Sequence, residues 1–199
     1  MLAEETAKDI VKNEGAWERY LDTAARLYKY PFQEQMLIYA QRPDATACAS
    51  IDIWNEKMNC WVNKGAKGIA LIDEEASSPR LKYVFDVADV HKARRIGRDP
   101  YLWEMRTEHE EVIIKRLENI YGSTDTEESF GNRLLEIARK VTFDTYEEIA
   151  EDLTYLVEGS FLEGLDEYSL KIRVRDTLQA SISYTLLSRG GMDMDNYKG

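Results

Sequence analysis

Little in this 199-residue chain staples or interrupts it: two cysteines, four prolines and eleven glycines. Two cysteines cannot build the disulfide framework on which small secreted domains rely. Cys48 and Cys60 are expected to be two buried thiols of a reducing compartment, with a single disulfide as the alternative. With only His91 and His109 to add, the ligand spacings, 12 between the cysteines and 18 between the histidines, fit no common zinc module. No metal and no cofactor are expected. No apolar run approaches the roughly 18 residues that would span a bilayer. The opening "MLAEETAKDI" lacks the basic-then-apolar order of a signal peptide, so the expectation is a cytoplasmic protein without a membrane partner. Nor is there an excess of positive charge. The net charge is −11, which argues against a simple basic nucleic-acid binder.

What is present is uneven. Residues 1–100 net −1 and residues 101–199 net −10. Within 57–98, nine basic side chains outnumber five acidic ones. The nine are Lys57, Lys64, Lys67, Arg80, Lys82, Lys92, Arg94, Arg95 and Arg98. A basic island in an acidic chain suits either a confined phosphate-contacting surface or an ordinary solvated face.

Apolar residues at helical spacing in "AWERYLDTAARLYKY" predict a helix, and Pro31 suits the first turn of another, "PFQEQMLIYAQ". Ser50 reads as the N-cap of a short helix, "IDIWNEKMN", bearing Trp54. The period then shortens. "GIALID" and "LKYVFDV" are rich in β-formers and read as a hairpin across "EEASSPR", with "WV" at 61–62 as a third short strand. Beyond it the chain returns to helix: Pro100 is expected to open "YLWEMRTEHEEVIIKRLENIYG", which Gly122 ends. Asp144 and Glu147 form a capping-box pattern at the head of "TYEEIAEDLTYLVEG". A last helix, "YSLKIRVRDTLQASISYTLLSR", closes at Gly190 and Gly191, with a frayed tail beyond. The predicted class is α+β: a small β-hairpin or three-strand unit flanked by helices in a domain over 1–99, then an acidic helical domain over 100–199.

Catalytic patterns are missing. "TEHEEVIIK" fails the H-E-x-x-H pattern because position 113 is Ile, and His109 shares a helical face with Met105 and Ile113, as a hydrogen-bonded core or boundary residue would. "EGSFLEG" is not a nucleophile elbow. The chain is read as a non-enzyme. The stretch "WVNKGAKGIALI" is no P-loop either, since G-x-x-x-x-G-K-[ST] is absent and a strand follows. Its glycines do let backbone approach a ligand closely, and Lys64 and Lys67 flank that approach. Trp54, Trp61 and Tyr83 offer aromatic faces, and aromatics beside a basic groove hold single strands. Each tryptophan is equally open to a core role.

Taken in order, "YKYPFQEQMLIYAQ", "IDIWNEKMN", "WVNKGAKGIALI" and "KYVFDVADVH" resemble the N-terminal domain of the ArdC-type antirestriction proteins. The version resembled is the one at the front of large helicase- and methylase-like proteins of conjugative elements. The family pattern is a tryptophan-bearing segment, a V-x-K-G-x-K-G turn, a strand, a variable loop and a V-F-[ND]-V strand. Trp54, Val62, Lys64, Gly65, Lys67, Gly68, Val84, Phe85, Asp86 and Val87 occupy those positions. The resemblance implies single-stranded DNA binding in the service of a mobile genetic element, with protection from host defence. It covers about residues 15–95 and carries over no zinc-protease chemistry.

Two functional expectations follow. In the first, a groove for single-stranded DNA is lined by Trp54, Trp61, Lys64, Gly65, Lys67, Gly68, Lys82, Arg94, Arg95 and Arg98. In the second, an anti-defence inhibitor (anti-restriction or anti-CRISPR) meets a host nuclease or CRISPR effector through its acidic helical surface, the 104–111 cluster above all.

Overall fold

The computed structural model describes residues 2–73, 78–92, 99–100 and 102–192. The chain is α+β and divides into two compact units. The first comprises residues 1–10 and 26–103, the second residues 11–25 and 104–199. The division thus falls a few residues past the expected 99/100 boundary, and the second unit takes in an early segment of chain.

The first unit holds α1 (Leu2–Ile10) and α3 (Phe32–Gln41), with five short strands between residues 48 and 92. As expected, β3 (Ile69–Asp73) and β4 (Arg80–Asp86) form an antiparallel hairpin. Its connection, residues 74–77, lies outside the described residues. β1 (Cys48–Ala49) adds to the far side of β4, giving the order β1-β4-β3. The "WV" strand departs from expectation. β2 (Cys60–Val62) does not join the hairpin but pairs with β5 (Val90–Lys92) in a sheet of its own. Strands of two or three residues are too short to show a period of their own, so their distant partners decide where they lie.

Alternation decides the first core. Ile69 and Leu71 on β3 and Val84 on β4 point toward α3 and pack with Leu27, Ile38 and Ala45. β3 is an edge strand, and its unpaired backbone is partly covered. The Gln41 side chain accepts from Ala70 N at 2.9 Å and donates to Ala70 O at 2.9 Å. A side-chain amide that imitates a neighbouring strand blunts pairing with another chain.

The second unit contains α2 (Glu14–Arg26, of which residues up to 25 belong here), α4 (Thr107–Tyr121), α5 (Phe130–Ile149), α6 (Leu153–Leu156) and α7 (Glu167–Arg189). α5 packs along α7, α4 against α5, and the short α6 against α7. Two apolar clusters result: Ile114, Leu134 and Leu187, then Leu153, Leu170 and Val174. α2 is tied to α7 by Trp17 Nε1 donating to Ser181 Oγ at 2.7 Å and by the Tyr184 hydroxyl donating to Asp22.

Two helix starts are corrected. Pro100 opens no helix; α4 begins seven residues later, with Arg106 at its N-cap. Proline permits a first helical turn without compelling one. Asp144 and Glu147 lie inside α5, which starts at Phe130 where Ser129 Oγ accepts from Asn132 N at 3.3 Å. A D-x-x-E pattern arises readily on a charged helix face, so by itself it does not mark a terminus. The tail from 193 onward lies outside the described residues. None of the described helices is long and apolar enough to cross a membrane.

Candidate nucleic-acid interface

The short helical segment Ile53–Lys57 follows Ser50, whose Oγ accepts from Ile53 N at 3.4 Å. It turns Trp54 inward rather than outward. The indole is 2% exposed, packs with Cys60 and Phe85, and donates from Nε1 to Phe85 O at 2.9 Å. Trp54 therefore has no face to offer a base, and of the roles open to it only bracing remains. Its partner strand explains why: Phe85 points to the outer side of the hairpin and needs an apolar cover. Trp54 supplies that cover together with Val62, Val87 and Val90.

Trp61 goes the other way. In the β2–β5 pair it stands opposite His91, while Cys60 and Val62 turn toward the Trp54 cluster. Half of its surface is open (49% exposed). The chain then turns sharply: Asn63 N donates to Asp89 O at 2.8 Å, and Ala66 N to Asn63 O at 3.0 Å. His91 Nδ1 and Asn63 Oδ1 share a hydrogen bond of 2.7 Å, tying the turn to β5. Gly65 has φ of +88° with open space around it, a conformation that side chains other than glycine rarely adopt. Gly68 serves a different need. A Cβ there would meet the Tyr83 and Phe85 rings at 3.1 Å, so this glycine admits aromatic side chains of the neighbouring strand rather than a ligand.

Tyr83 is where the cover ends. It lies on the same side of β4 as Leu81 and Phe85, against Gly68, and is 51% exposed. The 63–68 turn follows Trp61 and leads into β3, and Tyr83 lies against its last residue, Gly68. Lys64 and Lys67 project from that turn, exposed and without an ion pair among the described residues.

Of the other described cations of the basic island, three are engaged internally. Arg80 pairs with Asp73 at 2.9 Å, Lys92 with Asp99 at 3.3 Å, and Lys82 with Glu34 at 2.7 Å. Lys82, expected in the phosphate groove, is thus held by Glu34 on α3. Period two puts Lys82 on the same face as Val84, toward α3, where the Glu34 carboxylate receives it. That signal was available in "LKYVFD", as was the pairing of Tyr83 with Leu81 on the opposite face. Arg94, Arg95 and Arg98 lie outside the described residues.

Neither cysteine is poised for chemistry. Both are free thiols, on separate sheets, and burial pushes Cys48 up to about 12. Among the described residues, no group of three or more His, Cys, Asp or Glu side chains converges to hold a metal. His109 is half-buried and hydrogen-bonded, as a boundary residue: its Nδ1 accepts from Arg106 N at 3.1 Å at the start of α4. The 104–111 acidic cluster is substantially compensated. Glu108 lies 3.7 Å from the Arg106 guanidinium, and Glu111 accepts from Arg133 at 2.8 Å.

No protein-family model, no curated protein and no solved structure matches the chain.

Proposed function

We propose that the first unit binds single-stranded DNA without sequence preference, on a surface formed by Trp61, Tyr83 and the Lys64–Gly68 turn. The observation that carries the reading is the exposed indole of Trp61 beside a glycine turn bearing two lysines that make no ion pair among the described residues. Stacking on an aromatic face serves any base, and each stacked base contributes about 1–3 kcal/mol. Lys64 and Lys67 neutralise phosphates, and Gly65 leaves room for the backbone to approach. The likeness to the ArdC-type N-terminal domain supports the same reading, and with it a role for a mobile genetic element in protecting transferred DNA from host defence.

Fluorescence anisotropy with labelled single- and double-stranded oligonucleotides at two salt concentrations tests it. Single strands are expected to bind more tightly, and binding to weaken as salt rises. Trp61→Ala weakens it by about 1–3 kcal/mol. Lys64→Glu with Lys67→Glu removes at least two phosphate contacts, so the logarithmic salt slope falls by about 1.4. An Arg94→Glu/Arg95→Glu pair reports on the remaining basic segment. Undiminished binding by the Lys64→Glu/Lys67→Glu protein, or no single-strand binding at low salt, overturns the proposal.

A further inference from the structure

We infer that the region around α6 is a docking surface for a basic amphipathic segment of a partner protein. Residues 141–170 contain nine carboxylates and not one lysine or arginine. Elsewhere in the second unit carboxylates meet cations: Glu111 and Glu118 meet Arg133, and Glu136 meets Lys140, while at the edge of the region Glu167 meets Lys171 just beyond it. Within the region, Glu163 accepts from Gly159 N and Asp166 caps α7 through Tyr168 N and Ser169 N. Glu147, Glu148, Glu151, Asp152 and Glu158 make no ion pair among the described residues. Such a concentration of like charge opposes itself and leaves cations to be supplied from outside.

A lone metal ion does not fit, because no three acidic side chains converge among the described residues. The cations must come spread over a surface. That surface must also be partly apolar. On α6, Tyr155 is 79% exposed and Leu156 55% exposed, within five residues of Glu151, Asp152 and Glu158. Leu153 faces the other way, into the cluster with Leu170 and Val174, so α6 is seated through Leu153 while Tyr155 and Leu156 stand largely open. Exposed tyrosine and leucine inside a charged rim is the anatomy of an interface centre. Negative charge around it selects a lysine- or arginine-rich helix whose other face is apolar. This inference stands apart from DNA binding by the first unit, and either can fail alone.

The test titrates the isotope-labelled full chain with a lysine–leucine peptide patterned as an amphipathic helix. Controls are a scrambled peptide of the same composition and oligolysine. The amphipathic peptide is expected to shift the amide resonances of residues 147–168 and to bind at least about tenfold more weakly to Tyr155→Ser/Leu156→Ser. Glu151→Lys/Glu158→Lys tests the charge separately, and Tyr155→Phe/Leu156→Met is expected to keep binding. Unchanged resonances elsewhere certify that each variant is folded. Equal binding of scrambled peptide or oligolysine overturns the inference, as does perturbation centred outside 147–168. So does self-association that Tyr155→Ser/Leu156→Ser abolishes, which would assign the surface to a second copy of the chain.

Discussion

Asp86 in the first unit and Arg133 in the second are the two charged side chains buried among the described residues, and they are satisfied in different ways. Asp86 sits at the end of β4. Its Oδ2 accepts from Thr46 N at 2.7 Å and Ala47 N at 3.0 Å, and its Oδ1 from Ala88 N at 3.0 Å. Among the described residues no cationic side chain forms an ion pair with it; backbone amides take that place and join residues 46–47 to the strand. Arg133 on α5 is held by side chains instead. Its guanidinium donates to Thr124 Oγ1 at 2.9 Å, Glu111 at 2.8 Å and Glu118 at 3.3 Å. One charge fixes the path of the chain, while the other clamps two helices and the loop between them. The first is tied to groups that cannot be removed by mutation or by acid. The second depends on neighbours that can.

The sharpest test of that contrast removes each buried ion. Asp86→Ala leaves three amides without their acceptor, each from a part-buried hydrogen bond. The expected loss is about 3 kcal/mol or more, read as a lower urea midpoint of the first unit. Asp86→Asn keeps an acceptor oxygen and is expected to lose about 1 kcal/mol. If alanine and asparagine cost the same, amide satisfaction is not what Asp86 provides. Arg133→Met costs less than Asp86→Ala, about 1–2 kcal/mol. Its volume is retained, Glu118 keeps its bonds from Thr124 N and Oγ1, and the largely exposed Glu111 turns to water. A loss at Arg133 equal to that at Asp86 would erase the distinction between the two arrangements.

The same contrast separates what could be read in the sequence from what could not. A helix with a sustained apolar period, such as α2, is legible because each turn repeats the signal. The β3–β4 hairpin is legible for the same reason at period two. β1 and β5 are not, since their positions follow from pairing with residues 36–38 and 28–32 positions away. Of the motif positions singled out in the sequence, Trp54, Val62, Gly68, Val84, Phe85, Asp86 and Val87 serve packing or backbone satisfaction. Only Lys64, Gly65 and Lys67 of that set are exposed. Composition cannot separate the two kinds of position: a tryptophan for the core and one for the surface, seven residues apart, look alike until the strand register places them. Nor can charge counting reveal that Arg80, Lys82 and Lys92 are already engaged, because their partners belong to other elements or lie several residues away.

The smallest effect tests the titratable side of the comparison. Hydrogen bonds from Thr124, then the Arg133 guanidinium, pull the Glu118 carboxyl down to about 2 from its ordinary 4.5. A carboxyl with a lower value in the folded chain prefers to be ionised there, so its contribution to stability is complete above pH 4.5. That contribution declines as the pH falls and is gone below about 2. Glu118→Gln removes the ionisable group while leaving an acceptor oxygen for Thr124. The variant is expected to be less stable than the parent at neutral pH, with the difference between the two shrinking steadily from pH 4.5 toward pH 2. Hydrogen exchange of amides in α4 and α5, followed in both proteins across that range, reads the difference locally. A gap that stays constant with pH would mean that the Glu118 charge contributes nothing to the clamp, and that Arg133 is held by geometry alone.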